Sequence, residues 1–414
     1  MADSPIRSAA VLATGEELVR GAVIDTNSAW LARRLRGCGV TVAEIRVVSD
    51  SQEAVRAAIL DLSARVDLLV VTGGLGPTPD DRTRDALASA AGVPLERDAG
   101  CAERMAARLG ALGRKPSPSN ERQALLPRGG APIENPIGSA AGIEIAIGGA
   151  RVVALPGVPA ELRAMVDGSL LPRVRAAAAG PPIAERLLQV AGLPESVAGE
   201  RIAAWMAAPG PPLVSDTVRD GVITICASDR DDAAGRARLE SCVAEMRAAL
   251  GDHVFSGRDE TLAEFVVAEL RRQSATVAIA ESCTGGMVAA ALTDVAGCSD
   301  VLPEACVTYV DAAKRRSLRI AAGLLERCGA VSEEVARAMA AGVRERAGTT
   351  FGLSVTGIAG PGGGAPGKPV GLVHVAVRGP RGELHARRIH PGDRGSIRRS
   401  AVTGALDLLR RALR

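Results

Sequence analysis

The sequence predicts an α/β protein of more than one domain, and three observations lead there. Short apolar runs alternate with helix-length stretches from Arg7 to about residue 171, and again from residue 259 onward. Such alternation builds parallel sheets covered by helices on both faces. The chain has 414 residues, more than one hydrophobic core ordinarily organises, so two or three domains are expected. Hydrophobic residues make up 47% and charged residues 23%, which is the composition of a globular chain and not of a disordered one.

The elements follow in order. SAAVLATG (8–15) reads as a buried strand, NSAWLARRLRGCGV (27–40) as a helix ending at glycine, and TVAEIRVVSD (41–50) as a second strand. SQEAVRAAILDLSARV (51–66) is a helix opened by serine, and DLLVVTGGLG (67–76) is an apolar strand running into glycines. GARVVALPGVPAELRAMV (149–166) repeats strand, Gly/Pro turn and helix. A seam falls at 177–184, within AAAAGPPIAE, and a second at SGRDETLAEF. Between them, RLLQVAGLPESVAGERIAAWM, VITICASD and AAGRARLESCVAEMRAALGDHVF give strand and helix, strand, then helix and strand: a two-layer α+β module. Beyond it come a helix (TLAEFVVAELRRQ), a strand (ATVAIAES), a strand entering a glycine turn (TTFGLSVTGIAGPGGG), two paired strands (VGLVHVAVRG, ELHARRIH) and a closing helix (GSIRRSAVTGALDLLRRAL). The domains are therefore 1–176, 183–256 and 259–414.

Composition excludes several classes. A net charge of +3 is too small to indicate nucleic acid, and no run of about 18 apolar residues suggests a membrane span. The N-terminal MADSPIRSAAVLATG carries an acid and a proline before a short apolar run, unlike a secretory leader, so a cytoplasmic protein is expected. Eight scattered cysteines without CxxC spacing and only four histidines argue against zinc and for reduced, buried thiols. Only three of the 50 basic residues are lysines: Lys115, Lys314 and Lys368. Where arginine serves for almost every cation, a retained lysine can mark a place that needs an amine able to release its proton.

Three pieces of the last domain carry chemistry. In AESCTGG, Ser282 and Cys283 are neighbouring nucleophile candidates ahead of Gly285 and Gly286. Ser282 is either a helix N-cap or a hydroxyl beside backbone N–H groups, near Thr284 and Gly285, that hold an oxyanion. ACVTYVDAAKRRSL holds the chain's one tyrosine, Tyr309, and, five residues on, Lys314. Lys314 is either a solvated helix residue or a base whose pKa falls through burial and the repulsion of Arg315 and Arg316. SVTGIAGPGGGAPGKPVG is either a ligand-free loop or an anion cradle built on Gly357, Gly360, Gly362, Gly363 and Gly364, with Lys368 as a point charge for phosphate.

At the N-terminus, VVTGGLGPTPDDRTRDALASAAG sets Gly73, Gly74 and Gly76 after a buried strand and an acid pair at a helix start. Asp80 or Thr78 can serve as the N-cap. Alternatively the glycines approach a phosphate, and Asp80 and Asp81 hold a divalent ion to it. Glu17, Asn27, Asn120 and the segment LPGVPAEL end other strands on the same sheet edge, where open α/β sheets bind ligands.

AESCTGG, VTYVDAAK, GAVSEEVARAMA and LSVTGIAGPGGGAPGKPVGLV together resemble the C-terminal domain of the competence/damage-inducible protein CinA family. The resemblance implies a nicotinamide-nucleotide amidase that converts nicotinamide mononucleotide to nicotinic acid mononucleotide and ammonia without a cofactor. Ser282 would be the nucleophile and Lys314 its base. Cys283, Thr284, Gly285, Gly286, Tyr309, Thr356, Gly357, Ala359, Gly360, Gly362 and Lys368 would line the site. The N-terminal stretch resembles the family's molybdopterin-binding-like domain, which in some members hydrolyses ADP-ribose with a divalent metal (cobalt or magnesium) and potassium. The middle module is similar to the family's KH-like insert and is read as a spacer, not an RNA binder. A homodimer is expected. Two alternatives stand beside the amidase: a chain in which only the pyrophosphatase works, and a molybdopterin- or nucleotide-binding protein of competence or damage responses without turnover. The chain departs from the family pattern at Glu16, Glu304, Ala305, Val310, Asp311, Ala312, Ala365 and Gly367, positions that bear on substrate placement.

Overall fold

The computed structural model describes residues 5–111 and 113–414; residues 1–4, which open the stretch read as lacking a leader, and residue 112 lie outside the described residues. The chain divides into two compact units, 1–184 with 230–236 and 185–229 with 237–414.

In the first unit the strands of the main sheet are β1 (Ser8–Thr14), β2 (Thr41–Val48), β3 (Leu68–Thr72), β4 (Ala131–Ile133), β5 (Gly142–Ile147) and β6 (Ala150–Leu155). They form one sheet in the order β2-β1-β3-β6-β5-β4. The interior strand β3, LLVVT, is buried throughout because helices cover both of its faces. Among these helices are α1 (Thr26–Arg36), α2 (Gln52–Ser63), α3 (Thr83–Ala91) and α4 (Ala99–Ala111). The expected parallel pairing holds for β2, β1, β3 and β6. The sheet is nevertheless mixed, because β5 pairs antiparallel with both β6 and β4. The cause is local: only Gly148 and Gly149, both at positive φ, join β5 to β6, and a two-residue connection can only reverse the chain into a hairpin.

Mostly within the second unit, β7 (Ile183–Ala191), α5 (Glu195–Met206), β8 (Leu213–Arg219), β9 (Val222–Arg230), α6 (Ala233–Leu250) and β10 (Val254–Ser256) make the α+β module. Its sheet order is β8-β9-β7-β10, and β8 is a strand the sequence reading passed over.

The rest comprises α7 (Leu262–Arg272), β11 (Val277–Glu281), α8 (Met287–Thr293), β12 (Glu304–Val307), α9 (Asp311–Leu318), α10 (Ala322–Cys328), α11 (Glu333–Ala347), β13 (Phe351–Gly357), β14 (Leu372–Gly379), β15 (Gly382–Ile389) and α12 (Arg394–Ala412). The sheet order is β12-β11-β13-β14-β15, with β12, β11 and β13 parallel and the last two strands antiparallel. Strand periodicity sorts the side chains. Val277 and Ile279 pack with α7, α8 and α12, whereas Ala278 and Ala280 meet α9, α10 and α11 on the other face. α11 lies so close to β13 that a Cβ on Gly352 would stand 2.0 Å from the Ala340 carbonyl.

The topology fixes where ligands can bind. From β11 the chain goes first to β12 on one side and later to β13 on the other, and β1 stands in the same relation to β2 and β3. Each first strand therefore ends at a switch point, where a crevice opens beyond the carboxyl ends of the strands. Among the described residues, no helix is long and apolar enough to cross a membrane.

Candidate functional site

Ser282 is the residue after β11. Its N–H donates to the Val355 carbonyl at 2.9 Å, which fixes the nucleophile candidate against β13. Lys314, from α9, is only 1% exposed, and its Nζ lies 3.3 Å from Ser282 Oγ. The same nitrogen donates to the carbonyls of Thr308 at 2.9 Å and Tyr309 at 3.4 Å. A neutral amine has two N–H donors and one lone pair. With the two carbonyls taking the N–H groups, the lone pair is left to accept the Ser282 proton.

Burial pushes Lys314 below its ordinary 10.5, because an ammonium out of water loses its hydration, and the Asp311 charge works against the shift. Arg315 and Arg316, expected to supply repulsion, are exposed and take no part. Cys283 is a poor rival. Burial raises its thiol to about 11, so almost no thiolate exists near neutral pH.

Ser282 is not a helix cap, which corrects one expectation. α8 begins at Met287 with Gly286 as its N-cap, and Gly285 and Gly286 turn there with φ of 61° and 96°. Nor are the α8 amides open to an oxyanion. The buried Glu281 carboxylate accepts from the N–H groups of Gly286, Val288 and Ala289 at 2.9, 3.1 and 2.9 Å. The Gly285 N–H, counted above as an oxyanion donor, is committed to the Ser282 carbonyl at 3.1 Å.

The expected lining residues divide into two sets. Tyr309 is half exposed, and its hydroxyl accepts from Arg394, which also donates to the Gly360 carbonyl. Arg394 thus ties the tyrosine segment to the glycine loop, in which Ala359 is buried and Gly362 exposed. Thr356 is buried beside Ser282 on the next strand, its hydroxyl donating to the Ala330 carbonyl at 2.8 Å, and Gly357 leaves no room for a Cβ against the Leu372 carbonyl. Lys368 does not stand free as a phosphate anchor. Its Nζ donates to the Cys328 carbonyl at 2.7 Å, holding the loop to the end of α10. Sequence reasoning missed Glu281, Thr308, Arg394 and Arg398. A carboxylate closing the apolar run VAIAE was the available signal, since a buried charge must find partners.

In the first unit, a cavity of about 460 Å³ opens at the carboxyl ends of β1 and β3, and Glu17, Gly73, Gly74, Gly76, Asp80 and Asp81 all line it. Asn27 stands behind the wall, donating to the Gly157 carbonyl at 2.7 Å. Asn120 is one shell further out, in contact with Gln123. The glycines are required by packing alone: a Cβ on Gly73 or Gly74 would lie 2.5 Å from the Thr14 carbonyl or 2.3 Å from Thr83 Oγ1. Neither Asp80 nor Thr78 caps α3, which starts at Thr83 with Arg82 before it; Asp81 instead binds the N–H and hydroxyl of Thr78. Asp50 and Glu161, not foreseen, add carboxylates to the wall. Burial, then the charges of Glu17, Asp80 and Asp81, raise Asp50. Among the described residues no three His, Cys, Asp or Glu side chains converge as a metal cluster.

Residues 259–413 match the family described as CinA C-terminal domain, and residues 10–176 match the probable molybdopterin binding domain. A CinA-like protein of Anaeromyxobacter dehalogenans (strain 2CP-C) is 44% identical over 416 residues, spanning 98% of this chain and 99% of that protein. A CinA-like protein of Myxococcus xanthus (strain DK1622) is 41% identical over 412 residues, 97% of each. The crystal structure of competence/damage inducible protein CihA from Agrobacterium tumefaciens is 44% identical and covers 37% of this chain and 93% of its own, with a TM-score of 0.36.

Proposed function

The chain belongs to the CinA family, and from that premise we propose that it is a nicotinamide-nucleotide amidase working through a Ser282–Lys314 dyad. One observation carries the proposal: a buried lysine whose other two partners are carbonyls lies 3.3 Å from a serine hydroxyl at a sheet switch point. Lys314 accepts the Ser282 proton as Oγ attacks the carboxamide carbon of nicotinamide mononucleotide. The tetrahedral intermediate collapses, Lys314 returns the proton to the leaving nitrogen, and ammonia departs from a nicotinoyl ester. Water, deprotonated by the same amine, cleaves that ester to nicotinic acid mononucleotide and frees Ser282. No metal or organic cofactor enters these steps. The protein is read as a cytoplasmic homodimer that serves pyridine-nucleotide salvage.

The first unit supports a second activity, hydrolysis of ADP-ribose. Its cavity is of nucleotide size, and the donors at its wall are oxygens, which suit a hard divalent cation such as magnesium better than a thiol-seeking one. Burial first, and then the charges of Glu17, Asp80 and Asp81, raise Asp50, and a cation bound beside it would offset both. Asp80 and Asp81 would hold the cation, cobalt or magnesium, with potassium alongside, and the charge it would supply there is what a pyrophosphate needs beside carboxylates.

Purified full-length chain given nicotinamide mononucleotide should release ammonia in equal amount with nicotinic acid mononucleotide, and Ser282→Ala should release none. Cleavage of ADP-ribose with cobalt in a chain inert as an amidase would leave the pyrophosphatase alone. Nucleotide binding without either turnover would make the chain a binding protein of competence or damage responses.

A further inference from the structure

We propose that Arg398 is a positioning residue of the Ser282 site: by gripping two carbonyls of the turn that follows the nucleophile, it aims the Thr284 N–H at the developing oxyanion. The proposal rests on the amidase reading. Arg398 reaches in from α12, donating from Nε to the Cys283 carbonyl at 3.1 Å and from a terminal nitrogen to the Thr284 carbonyl at 2.7 Å.

In a trans peptide the C=O and the following N–H point in opposite directions. With both carbonyls turned to Arg398, the N–H groups of Thr284 and Gly285 face away from it. That of Gly285 returns to the main-chain carbonyl of Ser282 at 3.1 Å. The Thr284 N–H beside it meets no oxygen acceptor among the described residues, only the weakly accepting Cys283 thiol. With the α8 amides taken by Glu281, this donor and the Cys283 N–H, which also meets no oxygen acceptor among the described residues, are left beside Ser282 to receive an oxyanion.

The charge of Arg398 is also kept for this turn. Its neighbour Arg399 pairs with Asp220 at 2.8 Å, whereas Arg398 has no carboxylate within 4.0 Å among the described residues. An unneutralised guanidinium on two peptide carbonyls polarises both peptides and strengthens the N–H groups on their far side. A Cβ on Gly285, already disfavoured by its φ of 61°, would lie 3.2 Å from the guanidinium.

The experiment compares wild type with Arg398→Gln and Arg398→Lys in the full-length chain. Ammonia release from nicotinamide mononucleotide is measured beside the Ser282-dependent burst from p-nitrophenyl acetate, with Tm as the folding control. Arg398→Gln should lose about 10- to 100-fold in kcat, with KM within about threefold of wild type, because the lost aim matters only when the oxyanion forms. Arg398→Lys should recover part of that loss, and it decides the matter if the glutamine variant does not fold. A kcat within threefold of wild type in the folded variants overturns the proposal, as does a loss shared equally by kcat and KM. If wild type releases no ammonia, the amidase reading falls by itself and the ester burst decides for Arg398: slower in the variant supports it, equal or absent overturns it.

Discussion

Replacing Lys314 with methionine puts the dyad under the most direct strain. Methionine is unbranched and of similar length, so it can fill the buried channel of a side chain only 1% exposed while removing the lone pair 3.3 Å from Ser282 Oγ. A positioned general base contributes about 10²- to 10⁴-fold, or about 3–5 kcal/mol of barrier, so kcat for ammonia release should fall by that much. The carbonyls of Thr308 and Tyr309 lose a donor, at about 1–3 kcal/mol for each left dry, while the desolvation of a buried amine is relieved, so the variant should fold. The pH profile makes the test sharper. Burial holds the folded pKa of Lys314 below 10.5, and catalysis needs the unprotonated amine. Wild-type kcat/KM should therefore rise with pH through that folded pKa and level off above it. Stability carries the same sign: between the folded pKa and 10.5 the unfolded chain binds the extra proton, so stability climbs with pH across that window, and below it the burial cost of the ammonium is felt in full. The rate limb and the stability slope should both vanish in Lys314→Met. Turnover within tenfold of wild type, or a rising limb that survives the substitution, would remove the lysine from the base role.

Other substitutions separate chemistry from scaffolding. Cys283→Ala should slow ammonia release less than tenfold and cost about 1 kcal/mol in urea unfolding, for one buried sulfur; loss of activity in that variant with retention in Ser282→Ala would make the thiol the nucleophile. Glu281→Gln keeps the size but replaces one acceptor oxygen with a donor, aimed among three N–H groups, so the urea midpoint should fall by the equivalent of about 2–3 kcal/mol. An unchanged midpoint would mean that the carboxylate does not hold the turn. Gly352→Ala should destabilise by about 2–3 kcal/mol or prevent folding, because the new methyl meets a helix carbonyl that cannot step aside; a wild-type Tm would contradict the α11–β13 contact.

What could be read from the sequence depended on how rare a residue type was and how local its work is. The largely apolar runs of β1, β3, β11 and β13 announced the interior strands, since strands covered on both faces favour that pattern. The mixed character of the first sheet was also written locally, in the Gly-Gly pair of IAIGGARVV, but the strand–helix alternation around it spoke louder. At the site, Lys314 stood out as one of three lysines, and the structure buries it against Ser282. The same rarity misled at Lys368, which spends its charge on a loop carbonyl. Scarcity of a residue type singles out a cation; burial is what favours its neutral form. Arg394 and Arg398 were invisible for the opposite reason. They are two of 47 arginines, the 50 basic residues less three lysines, and their partners lie 34 to 115 positions away in the chain. Glu281 was hidden differently: it reads as the polar end of a strand until the turn folds back and places three amides on its carboxylate. The two members of the candidate dyad are marked by what they are, while the groups around them are marked only by where folding takes them, so such a pair can be found by inspection and the geometry of its surroundings cannot.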